Sequence, residues 1–515
     1  MTQITPLAAS VLILSYLCYR IFRTYWKLRY VPGPFWARIT NLQRILWVKS
    51  GKSHEIYQNI HKKYGDFVRI GPDAVSISDP AAISTMYPMR PGFPKSKFYR
   101  AFMPYIKNGL LPAIFTTQDE KQHKQLKSPI AALYSLTNVV TFEVFVNDVL
   151  DILFQEFDKR YAGSQTSFDL GDWLQYFAFD VMGTMTFSSR YGFLETGTDV
   201  GGMLQAIWNF MLGVAPMTQI PWVDKLWNKN HIVSMFKPQT SSPILKVVAD
   251  RTSERQQKAA SNTTKETKEV NKKDFLSRFL EIRETNSSVP PWAITAWTFS
   301  NVIAGSDSTA VVMRTVFYNL LAHPDSLSRL YKELTGYEKQ NGLSRPYPRW
   351  SEVSDLPYLD ACINEAIRLH PPFCLPLERV VPEGGVTICG QFFEAGTIVG
   401  MNPYVVNRHQ PTFGDDVDSW RPERWLNHNE EHRRKLEQSV MTFGAGRRVC
   451  LGKYVALLEI KKIVPALFLN YEIELLDPKS YEVENCYFFR QKGINVRIKR
   501  RDQKTSILAQ ESKKI

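Results

Sequence analysis

Residues Trp292 to Leu321 carry one continuous helical apolar pattern, opened by Pro291 and stopped by His323-Pro324. Proline in a first helical turn loses no needed hydrogen bond, and a proline past the end blocks continuation. At about 1.5 Å per residue, such a helix is roughly 45 Å long. It crosses a whole molecule, so the rest of the chain must wrap around it. Its middle breaks the pattern: Ala304-Gly305-Ser306-Asp307-Ser308-Thr309 sets a glycine, an acid and three hydroxyls among apolar residues. Glycine there costs about 1 kcal/mol relative to alanine. Hydroxyls can bond back to the carbonyl four residues earlier and bend the helix. A local opening leaves room for a molecule the size of dioxygen, and an acid beside a hydroxyl suits proton transfer. Without chemistry, the same residues are a helix-bending polar patch.

A second stretch is as unusual. Met441-Thr442-Phe443-Gly444-Ala445-Gly446-Arg447-Arg448-Val449-Cys450-Leu451-Gly452-Lys453 frames one cysteine with glycines and arginines, and an apolar helical run from Val455 follows. Glycines let backbone N–H groups turn toward a sulfur, and a helix start favours its ionised form. The arginines can meet an anionic group. A buried free cysteine in a turn is the plainer alternative. The other cysteines, Cys18, Cys362, Cys374, Cys389 and Cys486, lack such a frame and show no zinc spacing. Sparse, unpaired cysteines fit a reducing compartment.

Glu365-Ala366-Ile367-Arg368 puts an acid and an arginine on one helix face, an arrangement worth little when exposed. Thr2 to Tyr19 is uncharged and apolar, close to the minimum for a bilayer, and Arg20, Arg23, Lys27 and Arg29 follow it. The charges lie after the apolar run, where a cleaved signal peptide would carry them before it. The positive-inside rule then leaves the remainder cytosolic. Pro32-Gly33-Pro34 stops any helix and reads as a stiff hinge. The net charge of +14 invites a nucleic-acid partner. Its dispersion along the chain and the lack of a nucleic-acid motif argue for no nucleic acid, and for an acidic protein or an anionic membrane instead.

Phe443, Gly444, Gly446, Arg448, Cys450 and Gly452 match the haem-binding signature of the cytochrome P-450 (haem-thiolate monooxygenase) family. The whole chain to about Arg497 resembles that family, with four motifs in its order. Asp307, Ser308 and Thr309 fall on the oxygen-activation motif, with Ser308 where threonine is usual. Glu365 and Arg368 fall on ExxR, and Arg424 in Trp420-Arg421-Pro422-Glu423-Arg424-Trp425 falls on its partner loop. Tyr64-Gly65-Asp66-Phe67-Val68-Arg69-Ile70-Gly71-Pro72 and Arg379-Val380-Val381-Pro382-Glu383-Gly384-Gly385 are similar to fungal members, particularly the pisatin-demethylase-like group. The resemblance implies a mainly α fold with a small β-rich region, sandwiching haem b. Cys450 would be the axial thiolate, and Glu365, Arg368 and Arg424 would form a structural network. Arg448 and Arg379 would hold the propionates, with His123 and Lys127 on a nearby helix where the family often has Trp or His and then Arg. On its own His123 reads equally as a satisfied surface histidine, and a lysine gives a point charge in place of a fork.

The division this implies is a membrane anchor and basic flank (1–29), a hinge (30–34), a catalytic domain (35–500) and a polar tail (501–515). The expected function is a single-pass endoplasmic-reticulum monooxygenase in fungal secondary metabolism. It would take electrons from NADPH only indirectly, through NADPH–cytochrome P-450 reductase or cytochrome b5, and insert oxygen from O2 into a hydrophobic small molecule. The alternatives are a haem-thiolate isomerase or dehydratase needing no external electrons, and a non-catalytic haem or hydrophobic-ligand binder. The candidate substrate lining is Phe102, Phe115, Phe210, Ile303, Ala304, Phe373, Leu375 and Phe488. The aromatic-rich 208–222 stretch reads as either core or a membrane-touching lid.

Overall fold

Ala293 to Ala322 forms one uninterrupted helix. The computed structural model describes residues 6–90, 92–106, 109–236, 243–260, 273–426 and 429–501. The facing helix, Leu170–Phe187, is buried along almost its whole length against this central helix. Gly305 permits the approach: a Cβ there would sit 2.7 Å from the Met182 sulfur. The motif's glycine therefore serves close helix packing. Helix Lys453–Asn470 packs on the central helix as well. Trp297, Val312 and Phe317 share one apolar core with Trp173 and Phe177 of the facing helix and with Leu458 and Phe468, and Phe317 stacks on Phe468 at 5.2 Å between ring centres. Each such side chain contributes about 1.5–3 kcal/mol on burial.

The small β region supports the loops. Strands Phe67–Gly71, Ala74–Ile77, Ile398–Gly400 and Arg379–Val380 lie in that order in one sheet. The first two pair antiparallel as a hairpin, and the second runs parallel to the third. The short strands at 386–388 and 391–393 pair as a hairpin, as do Glu482–Cys486 and Phe488–Lys492. Between the first two strands and the central helix, the chain forms helices Glu120–Lys127, Leu136–Val140, Glu143–Phe157 and Leu170–Phe187. The aromatic loop around 93–115 contains a tight helical turn, Lys97–Phe102, which buries Phe98, Tyr99 and Phe102. Of the polar stretch 251–274, residues 251–260 continue helix Pro243–Ala260. Residues 261–272, and the tail from 502 on, lie outside the described residues.

The N-terminal helix runs from Pro6 to Lys27 and exposes Val11, Leu12, Leu14, Tyr16, Tyr19 and Phe22. Its last turn is clamped. The buried Arg69 guanidinium donates to the Thr24 carbonyl at 2.9 Å and the Tyr25 carbonyl at 3.2 Å, satisfying orphan carbonyls of the helix end. The Arg69 N–H donates to the Pro32 carbonyl at 2.7 Å. A Cβ on Gly33 would lie 2.3 Å from the Arg69 carbonyl oxygen, so only glycine fits there. The Pro-Gly-Pro junction is thus fastened to the first strand of the sheet.

Candidate active site

The cysteine loop is held as a tight knot. The Cys450 N–H donates to the Phe443 carbonyl at 2.8 Å. Gly446 has φ +60°, and a Cβ there would fall 2.0 Å from the Tyr87 carbonyl oxygen. That position is closed to any side chain on two counts. Gly452 caps the helix Lys453–Asn470, and the N–H groups of Gly452 and Lys453 are directed at the Cys450 sulfur. Burial raises the Cys450 thiol pKa. Those N–H groups and the charges of Lys127 and Lys453 oppose the rise without cancelling it. The glycine and helix-start N–H groups favour the ionised form, as the sequence suggests, and burial outweighs them in the chain alone. A bound metal cation would deprotonate it outright. Cys450 is nevertheless accessible. A desolvated yet accessible sulfur faces a hollow inside the molecule.

The loop is braced from behind. Glu365 and Arg368 are fully buried, and two Arg368–Glu365 bonds of 2.8 and 2.9 Å join them. Arg424 Nε donates to Glu365 at 3.0 Å, and Trp425 Nε1 at 2.9 Å. Arg368 also donates to the carbonyls of Asn407 (3.1 Å) and Val417 (2.7 Å). The brace reaches the cysteine loop through Asn407, whose amide donates to Thr442 Oγ1 at 2.9 Å. Thr442 Oγ1 in turn donates to the Ile367 carbonyl at 2.7 Å. Asn407 carries no local sequence signal, because its partners come from two distant segments.

A cation cluster lies beside the loop. Arg448 donates to Glu120 at 2.5 Å and to the Thr117 carbonyl at 3.1 Å. Arg379 donates to the Tyr99 hydroxyl at 3.0 Å. Lys127 Nζ donates to the Arg447 carbonyl at 2.8 Å. Lys95 joins them, a residue that sequence reasoning did not single out. It is buried, donates to the Phe115 carbonyl and sits 4.0 Å from the Tyr99 ring centre. Burial, then Arg379 and Arg448, push its pKa well below the usual lysine value. His123 is buried with both ring nitrogens unpartnered. Burial, Arg448 and Lys127 hold its pKa down at about 3, so it is neutral. Glu120, bonded to Arg448, is the carboxylate that counters Lys95 and Arg448. Several crowded cations and an orphaned imidazole call for further negative charge. A thiol facing a hollow, with such a cluster nearby, fits an iron porphyrin bearing two propionates.

On the central helix, Ser308 Oγ donates to the Ala304 carbonyl at 2.6 Å, and Ser306 Oγ to that of Val302 at 2.9 Å. Ala304 is exposed, while Val302, Ser306 and Thr309 around it are buried. An accessible alanine in the middle of a buried helix marks the hollow again. Tyr134 donates to Asn301 Oδ1 at 2.5 Å, and Cys450 is close enough to act on its hydroxyl electrostatically. Asp307 is turned onto the facing helix, where Gln175 donates to it at 2.5 Å. Burial pushes its carboxyl up to about 6.

The candidate lining residues divide. Phe98, Phe102, Leu375, Met211 and Tyr487 share one apolar cluster, with Phe373 and Phe488 packed against it. Tyr487 stands at its centre, 4.4 Å from Phe102 and 5.6 Å from Phe373 between ring centres. Phe115 stacks edge-on against Tyr99 at 5.4 Å. Ile303 is half-buried against the main core. Phe210 is exposed and lies off the buried stripe Ile207–Met211–Ala215, so Met211 and Ala215 are the buried residues of that helix in the cluster.

The cytochrome P-450 family model matches residues 32–494. The chain is 55% identical to a cytochrome P-450 monooxygenase of Aspergillus flavus, over 93% of this chain and 94% of that protein. It is 54% identical to the cytochrome P-450 monooxygenase asR2 of Sarocladium schorii, over 94% and 95% respectively. It is likewise 54% identical to the cytochrome P-450 monooxygenase pkfB of Emericella nidulans, over 96% of this chain and 95% of that one.

Proposed function

The chain belongs to the cytochrome P-450 family and is one of its monooxygenases, and from that premise we propose a membrane-anchored enzyme that oxidises a hydrophobic small molecule in fungal secondary metabolism. The observation that carries the reading is the accessible, desolvated Cys450 in a clamped loop beside a cluster of underpaired cations. The haem iron, bound by a thiolate, supplies the oxygen chemistry. Cys450 is the residue that would hold the iron. Arg448, Arg379 and Lys95 neutralise the propionates, with His123 and Lys127 beside them. Glu365, Arg368 and Arg424 keep the loop in place. Asp307 and Ser308 would hold and pass protons, and the Phe102–Tyr487–Phe373 cluster would exclude water and receive the substrate's apolar body.

Electrons reach the site from NADPH through a membrane-bound reductase or cytochrome b5, and the net charge of +14 suits an acidic partner. The apolar helix Pro6–Lys27 crosses the endoplasmic-reticulum membrane once and leaves the catalytic domain cytosolic. A second apolar surface supports this. Trp222, Leu226, Ile232 and Met235 are exposed after helix Met203–Met217, which packs on helix Leu42–Lys49, where Leu42 and Leu46 are also exposed. Such a patch suits contact with lipid. The test is NADPH- and oxygen-dependent conversion of terpenoid, polyketide or alkaloid substrates in microsomes supplied with reductase. Cys450→Ala should abolish both that conversion and the red-shifted Soret band of the reduced carbon monoxide adduct. A variant that kept the band would overturn the ligand assignment.

A further inference from the structure

Three side chains form a row in the seam between the central and facing helices. Gln175 Nε2 donates to Asp307 Oδ1 at 2.5 Å, and Gln175 Oε1 accepts from Arg314 Nη2 at 2.5 Å. Arg314 is buried, and its Nε donates to the Gly171 carbonyl at 2.9 Å. The two helices run antiparallel, with Gly305 against Met182 and Arg314 against Gly171. The glycine contact therefore sets the spacing that brings Gln175 within reach of Asp307.

The row has a direction. A guanidinium only donates, so the Gln175 carbonyl must face Arg314. That turns the amide N–H toward Asp307, and Oδ1 can then only accept. We propose that Gln175 is a positioning residue for Asp307: oriented by Arg314, it occupies Oδ1 as an acceptor and confines any proton that Asp307 carries to Oδ2, the oxygen left free for delivery. This rests on the reading of Asp307 as a proton carrier. The groups acting on Asp307 are Arg314 and Gln175, and burial brings its titration near neutrality, at about 6. Beyond Arg314 stand Asp169, Asp172 and Tyr481, with Arg490 and Lys492 acting on Asp172 from the neighbouring strand. Asp172 is exposed. Charges of alternating sign thus lead from the acid toward the surface.

The experiment uses the full-length holoenzyme with reductase in microsomes, and reads peroxide released per NADPH as a function of pH. The thermal midpoint of each variant is followed over the same range as a measure that does not depend on turnover. Gln175→Leu removes a bond made to the carboxylate anion, so the acid limb of the peroxide profile should move up by about one pH unit. The pH dependence of the thermal midpoint should move with it. Haem content should stay unchanged, and in an Asp307→Asn background Gln175→Leu should shift neither profile. Gln175→Glu covers a misfolded leucine variant: it is nearly isosteric, still accepts from Arg314, no longer donates to Asp307, and should shift both profiles in the same direction. Gln175 variants with unmoved profiles, beside an Asp307→Asn enzyme whose acid limb is gone, would overturn the positioning role alone. An Asp307→Asn enzyme with its acid limb intact would overturn the proton-carrier reading beneath it.

Discussion

Asn407 holds Met441 from the far side of the cysteine loop: its side-chain oxygen accepts the Met441 N–H at 2.8 Å. The same amide donates to the Arg368 carbonyl at 3.2 Å. One buried side chain thereby joins the charge network to the loop that presents Cys450.

Asn407→Ala should leave the Met441 N–H and its other partners unpaired in a dry interior, at about 1–3 kcal/mol for each group. The expected outcome is a lower thermal midpoint together with faster haem loss to an acceptor protein. A variant that lost stability and kept haem would mean that the loop holds its shape without this link.

The charge network predicts an acid limb. Burial alone would raise the Glu365 pKa, but Arg368 and Arg424 outweigh it and hold the carboxyl below the usual glutamate value. A depressed folded pKa contributes stability that is complete above the unfolded value of about 4.3. That contribution is lost as pH falls through the lower folded value. Glu365→Gln should therefore weaken the protein at neutral pH by about 3–5 kcal/mol, since two buried guanidinium groups lose their counter-charge. It should also flatten the decline of stability in acid. Denaturant midpoints measured down to strongly acidic pH check both.

Gly446→Ala should be among the most damaging single-methyl additions in the chain. The new Cβ would lie 2.0 Å from the Tyr87 carbonyl oxygen at a φ of +60°, so the loop must move. We expect a loss of more than about 2 kcal/mol and little haem incorporation, read by absorbance and thermal melting. Gly444→Ala, at φ +68° with its nearest contact at 3.6 Å, should cost less, because only the backbone conformation objects.

Ser308→Ala removes the hydroxyl bonded to the Ala304 carbonyl. It should leave thermal stability within about 0.5 kcal/mol and raise peroxide release per NADPH several-fold. Coupling equal to wild type would move the proton role to Thr309 or to water. Ser308→Thr adds a methyl that narrows the rotamers of the hydroxyl and should lower peroxide release.

Much of the fold is legible in the chain because its signals are local. The central helix is fixed by prolines at its ends and apolar spacing between them. The hairpin at 67–77 is fixed by alternation around Gly71-Pro72. The residues with family motifs, Glu365, Arg368, Arg424 and Cys450, are legible for the same reason: each sits in a short, recognisable run. Lys95, Asn407 and Gln175 are not, since each acquires its role from segments far away in sequence. Arg314 leaves a faint trace, two helical turns beyond Asp307 on a similar face. Phe210 shows a different limit. Helix phase advances about 100° per residue, so aromatic content alone does not say whether Phe210 or Met211 points inward. The packing role of Gly305 is not legible either, because the Met182 side chain against it comes from a helix whose position no local pattern gives.

The clamp at Arg69 changes what the N-terminal helix can be. Its last carbonyls are held by a guanidinium rooted in the sheet, and Gly33 is pressed against the same residue's backbone. A helix fixed in this way is a handle and not a string. Whatever plane receives it also sets the tilt of the whole catalytic body, and with it the direction from which an apolar molecule leaving that plane would meet the protein.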